Sequence, residues 1–167
     1  DFDELGRIAA LLLSGRYIYL YGIGASFLVA KDFQQKFERV NKRTFLYEDI
    51  HLQLLSSTNL EPGDTAIIVS YSGLTKEIIE IAKNVKMCGG IIIAITKYGT
   101  NKLSSMSDYN LFVPMLEKPL RVGASSSRVS QLSVVDIVYN IYISLEKERS
   151  MEKIVSSNKL LEKEEDS

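Results

Sequence analysis

Short runs of apolar and β-branched residues alternate along this chain with longer segments in which apolar residues recur at helical spacing. The short runs are typical of strands, and the longer segments are typical of helices with one buried face. The first, third and fourth runs are nearly continuous in apolar residues, which indicates central strands covered on both faces. The predicted strands are Tyr17–Tyr21, Thr44–Tyr47, Thr65–Ser70, Ile91–Thr96 and Tyr109–Val113.

Helical patterns occupy the segments between and around these strands. Alternation of strands and helices predicts an α/β fold with a parallel sheet, in which each helix buries an apolar stripe. We expect residues 1–148 to form one domain, and residues 149–167 to form a charged C-terminal tail that is partly helical or disordered. The predicted helices are 3–13, 26–40, 49–56, 76–87 and 127–146, with a short turn at 102–107.

The last predicted helix has more apolar residues than one packing face requires. Its polar residues Ser133, Asp136, Asn140 and Ser144 form a narrow stripe, and apolar residues fill most of the remaining circumference. A surface helix needs an apolar arc of only about 100°. The surplus has two interpretations, a helix sunk in its own fold or a contact with a second copy of the chain. We expect a homo-oligomer, with Val138 as an exposed position in its interface.

Composition and charge exclude several classes of function. The chain has 167 residues, which is enough for one domain with a sizeable core. Its 20 Lys and Arg residues face 21 Asp and Glu residues, so the formal net charge is −1. Nucleic-acid binding needs a basic surplus that displaces counterions from phosphates. This chain by itself is therefore not expected to bind DNA.

The cellular compartment follows from the cysteine content and from the absence of long apolar runs. Cys88 is the only cysteine, which excludes an intrachain disulfide and a cysteine metal cluster. No apolar run reaches the ~18–20 residues that span a bilayer, and no signal-peptide pattern is present. We expect a cytoplasmic protein with no membrane partner, no metal and no cofactor. The start at Asp1 rather than at Met predicts that the chain is a piece of a longer protein.

A glycine-rich turn follows the first predicted strand, in the sequence GIGAS at 22–26. Its glycines permit a close backbone approach, and Ser26 at the helix start can cap the helix or donate to a ligand. A dinucleotide site would want a third glycine and an acidic residue at the end of the next strand. Phe27 stands where that glycine would be, although Glu48 lies near the acidic position, so the dinucleotide interpretation is disfavoured.

A second turn, SYSGLT at 70–75, follows the third predicted strand and precedes a helix. It brings several hydroxyls and the free amides of a helix N-terminus to one point, which favours a phosphate site. The loop contains no Lys or Arg, so the helix dipole and charge-assisted hydrogen bonds would have to stabilise the anion. The alternative is a simple helix cap by Ser72 or Thr75, which leaves Ser70 and Ser26 without a role.

Four segments of the chain together resemble a SIS (sugar isomerase) domain, in the form that serves as the C-terminal effector domain of RpiR-type bacterial transcriptional regulators. They are 22–26 (GIGAS), 70–77 (SYSGLTKE), 94–96 (AIT) and 121–132 (RVGASSSRVSQL). The resemblance covers about residues 3–148. It implies a three-layer flavodoxin-like sandwich with a five-stranded parallel sheet that binds phosphosugars, and a helix-turn-helix domain ahead of Asp1 through which DNA would be bound.

The resemblance also assigns roles to residues of the two turns. Ser26, Ser70, Ser72 and Thr75 would hold the phosphate of the ligand. Tyr71 and Gly73 would shape the loop, and Gly24 would belong to the same pocket.

His51 and Glu117 are further pocket candidates, since SIS isomerases use a His or a Glu to move a proton between C1 and C2. His51 follows the second strand and is otherwise a partly exposed helix residue, a sugar-hydroxyl contact or a catalytic base. Glu117 is otherwise a solvated surface charge. Arg128 opposes the dipole at a helix start, which indicates either an ion pair or a ligand contact. The chain is therefore interpreted as a non-catalytic phosphosugar sensor, with a sugar-phosphate aldose–ketose isomerase as the alternative.

Overall fold

The computed structural model of the protein describes residues 2–115, 125–147, 151 and 153–155. Five parallel strands form one sheet in the order β2-β1-β3-β4-β5. This order is that of flavodoxin-like doubly wound sheets. Strand β2 is added on one side of β1 and strands β3 to β5 on the other, so the strand order reverses between β1 and β3. The strands are β1 (Ile18–Tyr21), β2 (Thr44–Leu46), β3 (Thr65–Val69), β4 (Ile91–Lys97) and β5 (Tyr109–Val113).

The burial of the strands follows their apolar content. Every residue of β1 and β3 is buried, as are all residues of β4 except the first and last. These strands are the three inner ones, as their continuous apolar runs predicted, and β2 and β5 are the edges. All five predicted strands are confirmed, with bounds that differ by at most one residue.

Helices cover both faces of the sheet and make it the middle layer of three. The helices are α1 (Phe2–Ser14), α2 (Ala25–Glu38), α3 (Ile50–Ser56), α4 (Lys76–Met87) and α5 (Ser125–Leu145). One apolar cluster joins α1, α2 and α5 to one face of the sheet, and a second cluster joins α3 and α4 to the other face. The predicted three-layer α/β sandwich is therefore confirmed. Residue 151 and residues 153–155 are helical, while the rest of the predicted tail lies outside the described residues.

Helix α5 packs most of its apolar residues against the core of its own domain. Val135, Val138 and Tyr142 are buried in the cluster with α1 and α2. The prediction that Val138 is an exposed interface position is wrong, because its side chain is only 2% exposed and packs against this core. The apolar residues of α5 that do face solvent are Val129, Ile137 and Leu145.

Candidate functional site

The two predicted turns lie side by side at the carboxyl edge of the sheet. Strands β1 and β3 pair directly, with Tyr21 opposite Ile68. The turn 22–24 leaves the end of β1 and the loop 70–75 leaves the end of β3. The carboxyl ends of neighbouring strands at a reversal of strand order are where open α/β sheets bind ligands. The fold therefore brings together the two segments that the sequence singled out.

The turn after β1 makes a tight entry into α2. Gly24, the N-cap residue of this helix, has φ of 60° and has no side chain with which to cap it. The Ser26 N–H donates to the Ile23 carbonyl over 3.2 Å. A Cβ on Gly22 would lie 2.7 Å from the Ser26 carbonyl oxygen, so glycine is required there by lack of space. Ser26 is thus held at the opening turn of α2, with its side chain half-buried.

The loop after β3 is tied to its surroundings mainly through backbone groups. Ser70 is 4% exposed, and its N–H donates to the Ile95 carbonyl over 3.0 Å. The Gly73 N–H donates back to the Ser70 carbonyl over 3.1 Å, which closes the turn. These bonds fix the loop without using the hydroxyl groups that the sequence analysis assigned to a ligand.

The side chains of this loop do little to cap α4. Thr75 is the capping residue, yet it makes no side-chain cap bond. The Ser72 hydroxyl accepts from the Leu74 N–H over 3.2 Å, a bond that stays within the turn. The first i→i−4 hydrogen bond of α4 is donated by the Ile79 N–H to the Thr75 carbonyl over 3.0 Å. The amides of residues 76–78 precede that bond, as at any helix start, and the helix dipole places partial positive charge there.

Asn101 lies against Gly73, and sequence reasoning missed it. Its Nδ2 donates to the Thr96 hydroxyl over 3.1 Å, and its Oδ1 accepts from the Ser104 N–H over 2.9 Å. Gly73 has φ of 64°, and a Cβ there would lie 1.9 Å from the Asn101 Oδ1. A shape-setting role for Gly73 thus has a physical basis in both its conformation and its close neighbour. The only available signal was Asn101 in a turn sequence.

Tyr71 faces the α5 side of the sheet. Its ring is partly buried against the cluster that joins α1, α2 and α5. Its hydroxyl lies 3.5 Å from the Pro114 carbonyl, and its own carbonyl accepts from the Lys97 N–H over 2.9 Å. The predicted role of Tyr71 in shaping the loop is consistent with these contacts and stays a prediction.

The remaining candidates lie in other parts of the chain. His51 is exposed on the short helix α3, and Asp49 caps that helix by accepting from the Leu52 N–H over 3.0 Å. Arg128 is exposed in the first turn of α5. Glu117 lies outside the described residues. The role of each stays a prediction.

Gln53 is the second residue that sequence reasoning missed. It is 1% exposed on α3, and its side-chain amide pairs with the backbone of Gly22. The Gly22 N–H donates to Oε1 over 3.2 Å, and Nε2 donates to the Gly22 carbonyl over 3.0 Å. A glutamine in the apolar stretch IHLQLL was the signal that could have marked it.

The last residue of α3 contacts a buried tyrosine of β1. The Ser56 hydroxyl donates to the Tyr21 hydroxyl over 3.3 Å. Burial raises the pKa of Tyr21 well above its usual value, and the Ser56 hydrogen bond acts in the opposite direction. The phenol therefore stays neutral at physiological pH and serves as a structural contact.

Two further observations concern the described part of the chain only. Its residues contain no group of three or more His, Cys, Asp or Glu side chains that could hold a metal ion. None of its helices combines the length and the apolar character that a membrane crossing needs.

Comparison with known proteins identifies the family. The SIS domain family model matches residues 11–141. The chain is 44% identical over 137 residues to the uncharacterized HTH-type transcriptional regulator TTE0211 of Caldanaerobacter subterraneus subsp. tengcongensis, with 82% of this chain and 49% of that protein covered. It is 32% identical over 139 residues to the HTH-type transcriptional regulator RpiR of Escherichia coli K12, with 83% and 47% covered.

A solved structure gives the same result. The Vibrio vulnificus NanR protein complexed with ManNAc-6P superposes with a TM-score of 0.89 at 28% identity, covering 96% of this chain and 61% of that one. The chain spans about half the length of the relatives TTE0211 and RpiR. The family match covers most of the chain and includes both turns of the site. The chain belongs to the SIS domain family.

Proposed function

We propose that this chain is the phosphosugar-sensing part of a bacterial transcriptional regulator, and that it binds the phosphate of its ligand at the loop 70–75. The observation that carries the proposal is the start of α4, where Thr75 makes no side-chain cap bond and the amides of residues 76–78 precede the first helical bond. This helix start directly follows the loop that leaves the carboxyl end of β3. Amides, hydroxyls and a helix dipole at one point favour an anion with several acceptor oxygens.

The relatives support the class of ligand and the regulatory context. TTE0211 and RpiR are named as HTH-type transcriptional regulators, and the NanR structure is a complex with ManNAc-6P. Because the chain spans about half of those regulators, DNA would be bound by a part of the protein outside this chain. The balanced charge of the chain, 20 basic against 21 acidic residues, fits a sensing rather than a DNA-binding part.

We propose that the ligand is bound but not converted. Aldose–ketose isomerisation needs a base within hydrogen-bond reach of the C1 or C2 proton, and such a group contributes roughly 10²–10⁴ in rate. His51 is exposed on α3, and within the described part of the chain no hydrogen bond to a second side chain orients it. An isomerase would exchange the C1 or C2 proton with solvent, so NMR of a saturating sugar phosphate in deuterated water tests this point. Exchange that is lost with His51→Gln or Glu117→Gln would make the protein an isomerase.

The ligand class is tested by thermal shift with four sugar phosphates: glucose 6-phosphate, fructose 6-phosphate, ribose 5-phosphate and ManNAc-6P. Each is compared with its free sugar. A ligand at 100 times its Kd adds about 2.7 kcal/mol of stability, which is readily measured. The proposal expects a shift with at least one sugar phosphate and none with the matching sugar. Thr75→Val should reduce the shift to about half or less, the result of at least about a tenfold loss of affinity, whereas Ser14→Ala, at the end of α1, should leave it intact. Equal shifts with sugar and sugar phosphate would contradict the proposal.

We also propose that the protein is a homo-oligomer and that its contact uses the exposed apolar residues beside α5. Ile137 is 45% exposed and lines one cleft together with Phe112 of the edge strand β5 and with Tyr98. Tyr98 is 72% exposed, and its ring packs edge-on against Phe112 at 5.6 Å between centroids. Exposed apolar residues grouped in this way are typical of protein contacts. This proposal replaces the wrong expectation for Val138.

A further inference from the structure

Strand β2 is too short to support the end of β1. Its last residue, Leu46, lies opposite Leu20 in the parallel register. Gly22 lies two residues after Leu20, so no residue of β2 lies opposite it. A backbone N–H and C=O at such a place would lack partners on that side, and buried backbone groups without partners are costly.

The side chain of Gln53 supplies the two hydrogen-bonding groups that a longer β2 could have offered to Gly22. Its carboxamide presents one acceptor and one donor, the same pair that a peptide group presents to its neighbour in a sheet. Oε1 accepts from the Gly22 N–H over 3.2 Å, and Nε2 donates to the Gly22 carbonyl over 3.0 Å. Both groups are buried, so the pairing is shielded from competition with water.

Gly22 is confined on its other side by α2. Its Cα approaches the opening turn so closely that a Cβ would lie 2.7 Å from the Ser26 carbonyl oxygen. Gly22 therefore packs directly against the backbone of Ser26, and a shift of Gly22 toward α2 would displace Ser26. Because Gln53 belongs to α3, which also carries His51, a single pair of hydrogen bonds ties together two elements of the site.

We propose that Gln53 is a positioning residue for the ligand, acting through Gly22 to set Ser26 and the start of α2 against the bound sugar phosphate. This inference rests on the proposed function. It assigns Gln53 no contact with the ligand, and it makes ligand affinity depend on both halves of its amide. Two variants separate the halves: Gln53→Met removes the donor and the acceptor at similar volume, and Gln53→Glu keeps an acceptor but replaces the donor.

The experiment measures Kd for the same four sugar phosphates by calorimetry, together with the unfolding midpoint of each variant. Gln53→Met should weaken the best of these ligands at least about tenfold, the loss expected from displacing one charge-assisted contact. The matched control is Asn84→Ala, which removes a different side-chain bond to the end of α3, from Nδ2 to the Ser57 hydroxyl at 2.9 Å. It should lower stability but change affinity less than about twofold.

The pH profile of Gln53→Glu gives a readout that a purely structural role would not move. Burial and the facing Gly22 carbonyl should raise the pKa of the introduced carboxyl above its usual ~4.3. When protonated, this carboxyl again offers one donor and one acceptor. The ratio of variant to wild-type Kd should therefore fall as pH is lowered from 8 to 5. The titration of the ligand phosphate is common to both proteins and cancels in that ratio.

The outcomes separate the inference from the function on which it rests. If wild-type protein binds none of the four sugar phosphates, the proposed function fails, and the inference fails with it. If wild type binds but Gln53→Met and Asn84→Ala weaken binding equally, or not at all, only the inference is overturned. A ratio for Gln53→Glu that is independent of pH would also overturn it, and this holds even if Gln53→Met does not fold.

Discussion

Replacement of Gly73 by alanine tests whether the conformation of the loop 70–75 is set by the contacts seen in the structure. An alanine at φ of 64° costs ~1–2 kcal/mol relative to glycine. The new Cβ would also lie 1.9 Å from the Asn101 Oδ1, so Asn101 has to move. Its bonds to the Thr96 hydroxyl and the Ser104 N–H would break, at a cost of ~0.5–1.5 kcal/mol each. We expect a total loss of about 3 kcal/mol.

The assay is thermal unfolding of Gly73→Ala, followed by titration with a sugar phosphate. For a protein of this size, about 3 kcal/mol corresponds to a fall in Tm of roughly 6–12 °C. Affinity should fall at least about tenfold, because the Ser72 hydroxyl and the amides around it move with the loop. Gly89→Ala is the matched control, since Gly89 has φ of 75° and its nearest contact would be Pro62 Cγ at 3.4 Å. Gly89→Ala should lose only the stability that an alanine at positive φ costs, and its affinity for the sugar phosphate should be unchanged.

A double-mutant cycle tests the clash itself. In Gly73→Ala with Asn101→Ala, the side chain that collides with the new Cβ is absent. The double variant should be more stable than the sum of the single effects by about 1 kcal/mol or more, because neighbouring residues couple. Additive effects would refute the explanation through Asn101, and an unchanged affinity in Gly73→Ala would refute the role of the loop.

Three further predictions follow from other parts of the structure. Ser72→Ala should weaken the binding of a sugar phosphate about tenfold through loss of one charge-assisted bond, as calorimetry would measure, and an unchanged Kd would contradict this. Ile137→Asp should give a monomer in sedimentation at tens of micromolar, because burying an unpaired charge in the contact is unfavourable. Asn140→Asp on the same helix should leave the oligomer intact, and a monomeric wild type would contradict the proposed contact. Gly22→Ala should lower stability by ~1–3 kcal/mol and also weaken the ligand, since its Cβ would lie 2.7 Å from the Ser26 carbonyl oxygen; a crystal structure with α2 unmoved would contradict this.

The fold was predictable because its strands are short, nearly continuous apolar runs with clear boundaries. A strand covered on both faces tolerates few polar residues, so β1, β3 and β4 stand out in the sequence. The buried face of α4 was predictable in the same way from Ile78, Ile79, Ala82 and Val85, all of which are buried. The placement of both turns at one edge then follows from the parallel order of the strands.

The missed features depend on packing between segments that are distant in sequence. Asn101 meets Gly73, and Gln53 meets Gly22 at a separation of 31 residues. No local pattern encodes those pairings. The error at Val138 has a related cause, because helical periodicity shows that α5 has apolar surface on several sides but not which side meets α1 and α2. Exposure on such a helix is decided by its neighbours.

The most direct test of the account is to locate the bound phosphate by amide NMR. Titration with a sugar phosphate that stabilises the protein should shift the amide signals of residues 72–78 most strongly, because their N–H groups would donate to its oxygens. The contrasting region is the opposite end of the sheet, where Lys42 and Arg43 line a separate cleft. Shifts centred on 72–78, which need at least about tenfold more ligand in Thr75→Val, are the result that the account predicts. Shifts centred on residues 42–44, with residues 72–78 unmoved, would contradict it.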